Sequence, residues 1–165
     1  MSVILIGMPS CGKSTLGVLL AKKLGYRFID SDLVIQEREG MLLHDIIEQR
    51  GREEFLRIEN EVNCSLTDRR AVISTGGSAV YGKEAMEHLG SLGKIVYLNI
   101  SCETMLSRLG DYVHRGVVLP EGYTLEDMYA ERSRLYEKYA DITVNVCDGD
   151  ITSNLEQICA AVAEK

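Results

Sequence analysis

Residues 7–14 read Gly-Met-Pro-Ser-Cys-Gly-Lys-Ser, a glycine and four further residues followed by Gly-Lys-Ser. That spacing suits a loop that cradles phosphate. Gly7 and Gly12 let backbone N–H groups turn toward phosphate oxygens, and the helix that follows adds the positive end of its dipole. Lys13 is placed to reach the β and γ phosphates of ATP, and the Ser14 hydroxyl to coordinate Mg²⁺. Ser10, Cys11 and Thr15 complete the expected nucleotide contacts. A turn without nucleotide is the plainer alternative. Four fixed positions arise by chance in about one chain of this size in a hundred. The context also fits, with an apolar strand before the loop and a helical start after it.

Two further groups fall at the ends of apolar runs. Asp30-Ser31-Asp32 follows Arg-Phe-Ile. On an extended segment its two carboxylates face the same way, so one can serve Mg²⁺ while the other accepts a proton from a substrate hydroxyl. The competing reading is a helix N-cap cluster. Ser74-Thr75-Gly76-Gly77-Ser78 follows Ala-Val-Ile, and its paired glycines permit close backbone approach to a ligand. No Asn-Lys-x-Asp guanine reader and no apolar strand ending in Asp-Glu occurs, which argues against GTPases and large motor ATPases.

The elements that must position these groups alternate. Strand patterns rich in Val and Ile occur at 3–6, 27–29, 71–75, 95–100 and 142–146. Helical patterns occupy 13–24, 33–49 (with a break at Gly40), 52–68, 83–91, 102–109, 124–140 and 152–164. This alternation predicts a three-layer α/β/α fold on a five-stranded parallel sheet, with ligands bound at the carboxyl ends of its strands. Residues 110–123 carry three glycines, a proline and no sustained period, which predicts a flexible lid closing over the site. A single domain over 1–165 is expected, with a substrate-binding region at about 32–62.

A net charge of −7 argues against a nucleic-acid partner but not against ATP, which a local cradle can hold. No apolar run approaches the roughly 20 residues of a membrane span, and the apolar start lacks the basic flank and cleavage site of a signal peptide. The five cysteines form no CxxC pair, as expected of reduced thiols in a cytoplasmic protein. Cys11, beside a helix N-terminus, is either a reactive thiol or a small loop-filling side chain. The expected partner is a small-molecule substrate, and the expected state a monomer.

Taken together, GMPSCGKST, the D-x-D of IDSD, GREEFLRIENEV, STGGS, SRLGDYVHRG and AERSRLYEKYAD resemble the shikimate kinase family over nearly the whole chain. The resemblance implies an ATP- and Mg²⁺-dependent kinase of the P-loop fold. It implies that Lys13 and Ser14 serve ATP and Mg²⁺, that Asp30 holds the metal through water, and that Asp32 is the base at the substrate hydroxyl. Gly76 and Gly77 would line the substrate pocket, Arg108 would pack near adenine, Arg115 would reach across from the lid, and Arg132 would grip a substrate carboxylate.

The chain departs from that family where the acceptor is read. The family's Gly-Glu-x-x-Phe-Arg-x-x-Glu is here Gly51-Arg52-Glu53-Glu54-Phe55-Leu56-Arg57-Ile58-Glu59, with Leu56 at the arginine that would bind the carboxylate of shikimate. Arg57 points about 100° away on a helix whose apolar stripe, Phe55, Ile58, Val62 and Leu66, fixes the register. Ser78 stands where a third glycine is expected, and Gly116 where the lid's proline is. Loss of one Arg–carboxylate pair removes about 1.5–3 kcal/mol of recognition. Glu59 lies one turn from Leu56, without its usual cation, and could pair with an ammonium. The leading expectation is transfer of the γ-phosphoryl of ATP to shikimate. The alternatives are a hydroxy amino acid acceptor of the homoserine type and an ATP-binding regulatory module without catalysis.

Overall fold

The computed structural model describes residues 1–110, 117, 119–147 and 149–163. Five strands, β1 (Ser2–Gly7), β2 (Arg27–Asp30), β3 (Ala71–Ser74), β4 (Gly93–Asn99) and β5 (Ile142–Asn145), pair in the order β2-β3-β1-β4-β5. Every pairing is parallel, with Ile4 level with both Ile73 and Ile95. All six residues of β1 are buried, as a central strand covered on both faces requires. The helices are α1 (Lys13–Leu24), α2 (Ser31–Glu39), α3 (Leu43–Ser65), α4 (Lys83–Leu92), α5 (Cys102–Leu109), α6 (Leu125–Tyr139) and α7 (Ile151–Ala163). α1 packs on β1, β2 and β3 and meets α7, while α4 and α6 pack on β1 and β4.

Two apolar clusters hold these layers. The larger surrounds the sheet, with Ile4, Leu5, Ile6, Leu20, Ile73 and Leu98 buried in it. The smaller joins α2 to α3 through Ile35, Ile46, Phe55, Ile58 and Val62; the last three belong to the stripe expected to fix the register, whose fourth member, Leu66, is buried in the larger cluster. α1 approaches the sheet closely at Gly17, where a Cβ would sit 2.7 Å from the Phe28 ring.

The five strands and most helices fall where the pattern places them. α2 begins at Ser31, earlier than position 33, because Asp30 caps it by accepting a hydrogen bond from the Asp32 N–H at 3.0 Å. The segments 33–49 and 52–68 divide as expected, at Gly40 and again at Gly51. The helix ends at Gly40 and resumes at Leu43, then runs to Ser65 with a break in dihedral angles at Gly51 (φ 83°, ψ 165°). Of the expected lid at 110–123, residues 111–116 and 118 lie outside the described residues. Val117 is buried and faces the cleft described next, and Tyr123 closes a turn by donating its N–H to the Pro120 carbonyl at 3.0 Å.

Candidate active site

The carboxyl ends of three adjacent strands, β1, β3 and β2, open into a cleft of about 300 Å³. β1 delivers the phosphate loop. Gly7 (φ 150°), Ser10 (φ 64°) and Gly12 (φ 98°) all take positive φ, a path that suits glycine and is costly for Ser10. At Gly7 a Cβ would sit 2.6 Å from the Leu98 carbonyl oxygen and 2.9 Å from Cys11 Sγ. Gly12 caps α1 without a side-chain acceptor, so the first N–H groups of α1 receive no capping side chain. The Lys13 ammonium folds back on its own loop, donating to the carbonyls of Gly7 and Met8 at 2.8 Å each. Cys11 is buried in the core beneath Gly7, which makes it the loop-filling side chain.

β2 delivers the acidic pair. Asp30 Oδ2 accepts from the Ser14 hydroxyl at 2.7 Å, and Ser74 Oγ lies 3.4 Å from the same hydroxyl. Hydroxyl and carboxylate oxygens are the hard donors that Mg²⁺ takes in small number beside phosphates and water. Among the described residues no set of three or more His, Cys, Asp or Glu forms a metal cluster. Asp32 lines the cleft, but from the first turn of α2 and not from an extended strand, so helix entry orients it instead of strand alternation. Burial first, and the charge of Asp30 second, push its pKa up to about 6.

β3 delivers the glycine pair. Thr75 ties the loop to β1 by donating its N–H and hydroxyl to the Leu5 carbonyl, each at 3.1 Å, and Gly76 N–H donates to Ser31 Oγ at 3.2 Å. Tyr136 on α6 donates to the Gly77 carbonyl at 2.6 Å, its ring stacked on Tyr97 with centroids 5.0 Å apart. A Cβ on Gly76 would collide with Glu59 Oε1 and lie 2.8 Å from Asp32 Oδ1. One on Gly77 would lie 3.0 Å from an Arg132 guanidinium nitrogen. The glycine pair is therefore where two carboxyl groups and a guanidinium converge.

Glu59 is fully buried, and its Oε2 accepts from the Ser78 hydroxyl at 2.6 Å. Its Oε1 has no hydrogen-bond partner among the described residues. Burial, then the charge of Asp32, pushes its pKa up to about 7. Ser78 thus gives Glu59 a neutral donor, so the serine at a glycine position has a local use. Arg132 on α6 is 4% exposed, lines the cleft and donates Nε–H to the Tyr81 hydroxyl at 3.4 Å.

Not every expected residue meets this cleft. Arg108 lies on the far side of the loop, donating to the Ser10 carbonyl at 3.2 Å, in a second hollow with Cys11, Thr15, Cys147 and Asn154. Leu56 does not line the main cleft; it borders a shallow depression with Arg57, Asn60 and Tyr81. Arg57 points outward and pairs with Glu54 and Glu61, as the register requires. Arg115 lies outside the described residues. Ser31 and Ser74 fall inside two expected motifs without a role of their own, and Tyr81 and Tyr136 were not expected, because nothing in the spacing of these four separates them from ordinary buried or turn residues.

A phosphate loop facing a carboxylate, with a buried arginine across from it, suits a site that moves a phosphoryl group to a small alcohol. Fold and site define a P-loop small-molecule kinase. The shikimate kinase family model matches residues 9–163, and the chain belongs to that family. It is 35% identical over 163 residues to a shikimate kinase of Methylococcus capsulatus, covering 97% of this chain and 91% of that one. Its fold is similar to a shikimate kinase from Acinetobacter baumannii solved in complex with shikimate, with a TM-score of 0.88, 30% identity and coverage of 96% and 90%. A shikimate kinase from Aquifex aeolicus aligns with a TM-score of 0.85, 33% identity and coverage of 98% and 95%.

Proposed function

We propose that this protein transfers the γ-phosphoryl of ATP to a hydroxyl of shikimate, giving shikimate 3-phosphate. The observation that carries the reading is the meeting of Asp32, Glu59 and Arg132 at Gly76-Gly77, facing the phosphate loop across one cleft. In this reading the phosphates lie along the loop N–H groups. Lys13 exchanges two backbone carbonyls for phosphate oxygens, a stronger charge-assisted contact. Asp32 takes the proton of the acceptor hydroxyl as its oxygen attacks the γ-phosphorus in line, and the bond to the bridging oxygen of ADP breaks. Ser14 and Asp30 would hold Mg²⁺, whose role when bound is to offset charge on the phosphates. Gly76 and Gly77 admit the acceptor ring, and Arg132 takes its carboxylate, with Arg115 as a further cation.

Residues 32–62 serve as the acceptor-binding region of a single domain, joined by the α2–α3 cluster. Arg108 and the second hollow hold the adenine end, with Thr15 between the two spaces. Residues 110–123 act as the lid. No described helix is long and apolar enough to cross a membrane, and the five cysteines are free, which supports a cytoplasmic enzyme. One chain supplies the whole described cleft, which supports action as a monomer.

The geometry of Glu59 favours shikimate over a hydroxy amino acid. Burial pushes the pKa of Glu59 up and Ser78 already donates to one of its oxygens, so it offers an ammonium a full negative charge less readily than an exposed carboxylate would. ADP release across a panel of hydroxyl acceptors tests this. Shikimate is expected to support turnover and homoserine none; the reverse order overturns the proposal.

A further inference from the structure

Four arginines lie on α2 and α3, and three of them are paired. Arg38 meets Glu61 at 2.8 Å, Arg50 meets Glu39 at 2.5 Å, and Arg57 meets Glu54 and Glu61. Arg52 forms no salt bridge with a described residue. Its guanidinium carbon lies over the Tyr81 ring, 5.4 Å from the centroid. The same ring carries Arg132, also at 5.4 Å. Glu131, the carboxylate of this corner, accepts from the hydroxyls of Tyr81 and Tyr123 and lies within salt-bridge distance of neither guanidinium.

The helix explains how Arg52 comes to this corner. Positions 52, 55 and 59 share one face, since their spacings are three and four. Phe55 and Glu59 on that face line the cleft, and Arg52, which is not part of the lining, stands one turn before Phe55 on the same face. The dihedral break at Gly51 sets the start of this segment and with it the direction of Arg52. A buried guanidinium and a half-exposed one, both near Glu131 but within salt-bridge distance of no described carboxylate, are thus held against one aromatic ring beside the cleft. Stacking on the ring fixes the planar groups while leaving their N–H edges to donate. Two such forks take a carboxylate or a phosphate, and on the side of the cleft across from the phosphate loop that anion is the acceptor's carboxylate.

We propose that Arg52 is a specificity-determining residue that joins Arg132 in gripping the acceptor's carboxylate. The proposal rests on the reading that the acceptor is a carboxylated alcohol of the shikimate type. In that role Arg52 supplies from position 52 the cation that Leu56, one turn further along, does not.

Steady-state kinetics of wild type, Arg52→Met and Arg52→Lys, with shikimate and its methyl ester as acceptors or competing inhibitors, tests it. Methionine keeps an apolar stem over Tyr81 and removes the charge. Arg52→Met is expected to raise KM for shikimate about ten- to a hundredfold, with KM for ATP changed less than twofold. The ester, which lacks the charge, is expected to lose less than threefold, and Arg52→Lys to recover part of the affinity for the acid. An unchanged KM for shikimate, or equal losses with acid and ester, overturns the role of Arg52. Wild-type enzyme that releases no ADP with shikimate overturns the acceptor reading itself.

Discussion

Asp32 and Glu59 reach the same glycine from two different helices, and each is buried enough to resist ionisation. For Asp32 this is useful chemistry. A carboxylate whose pKa stands at about 6 remains ionised at pH 7 yet is more basic than one in water, and so accepts a proton more readily. The sign follows directly: the raised pKa means that the ionised form is lost as pH falls through about 6. The kcat/KM for the acceptor is expected to drop tenfold per pH unit below that point, and a pH–rate profile flat to pH 4.5 would remove Asp32 from the role of base. The paired aspartates were legible in the sequence as Asp-x-Asp. Their geometry was legible only in part: Asp30 is the N-cap of α2, the competing reading of that motif, and also the partner of Ser14, and helix entry in place of strand alternation orients Asp32.

At the scale of elements, the fold was legible because Val- and Ile-rich strands alternate with helices that have apolar faces, and a wholly buried β1 follows from that pattern. The acceptor side was less legible. It depends on where α3 breaks and on the turn Ala79–Tyr81, whose three residues carry no period. For Arg52 the only mark in the sequence is its spacing from Phe55 and Glu59, which places it on their face of α3 beside the substituted arginine position at Leu56. Gly51 carries that geometry. At φ 83° and ψ 165° it occupies a region essentially restricted to glycine, and a Cβ added there would meet nothing within 4 Å. Gly51→Ala is expected to cost about 1–3 kcal/mol through backbone strain alone, read by urea unfolding, and to raise KM for the acceptor more than for ATP. A variant of unchanged stability would mean that the break is not imposed by Gly51.

For the whole molecule, the buried acid of the cleft makes stability depend on pH in the direction opposite to a salt-bridged carboxylate. The Glu59 pKa stands at about 7 in the folded chain and near 4.5 in the unfolded one, so the folded state binds more protons between those values. Its stability therefore falls as pH rises from 4.5 through 7. Glu59→Gln removes that titration, so the thermal midpoint of the variant is expected to gain on wild type as pH rises to 8. A difference between the two proteins that stays constant from pH 4.5 to 8 would show that Glu59 titrates normally. The phosphate loop, by contrast, is fixed by backbone and carries no such penalty; it is the part of the site most plainly written in the sequence.

The most direct measurement is shikimate-dependent ADP release by wild type and Asp32→Asn, with ATP binding to each followed by calorimetry. Wild type is expected to release ADP in proportion to shikimate consumed, while Asp32→Asn binds ATP with similar affinity and loses at least a hundredfold in rate. Wild type that binds ATP but releases no ADP with shikimate, or an Asp32→Asn variant that turns over undiminished, would contradict it.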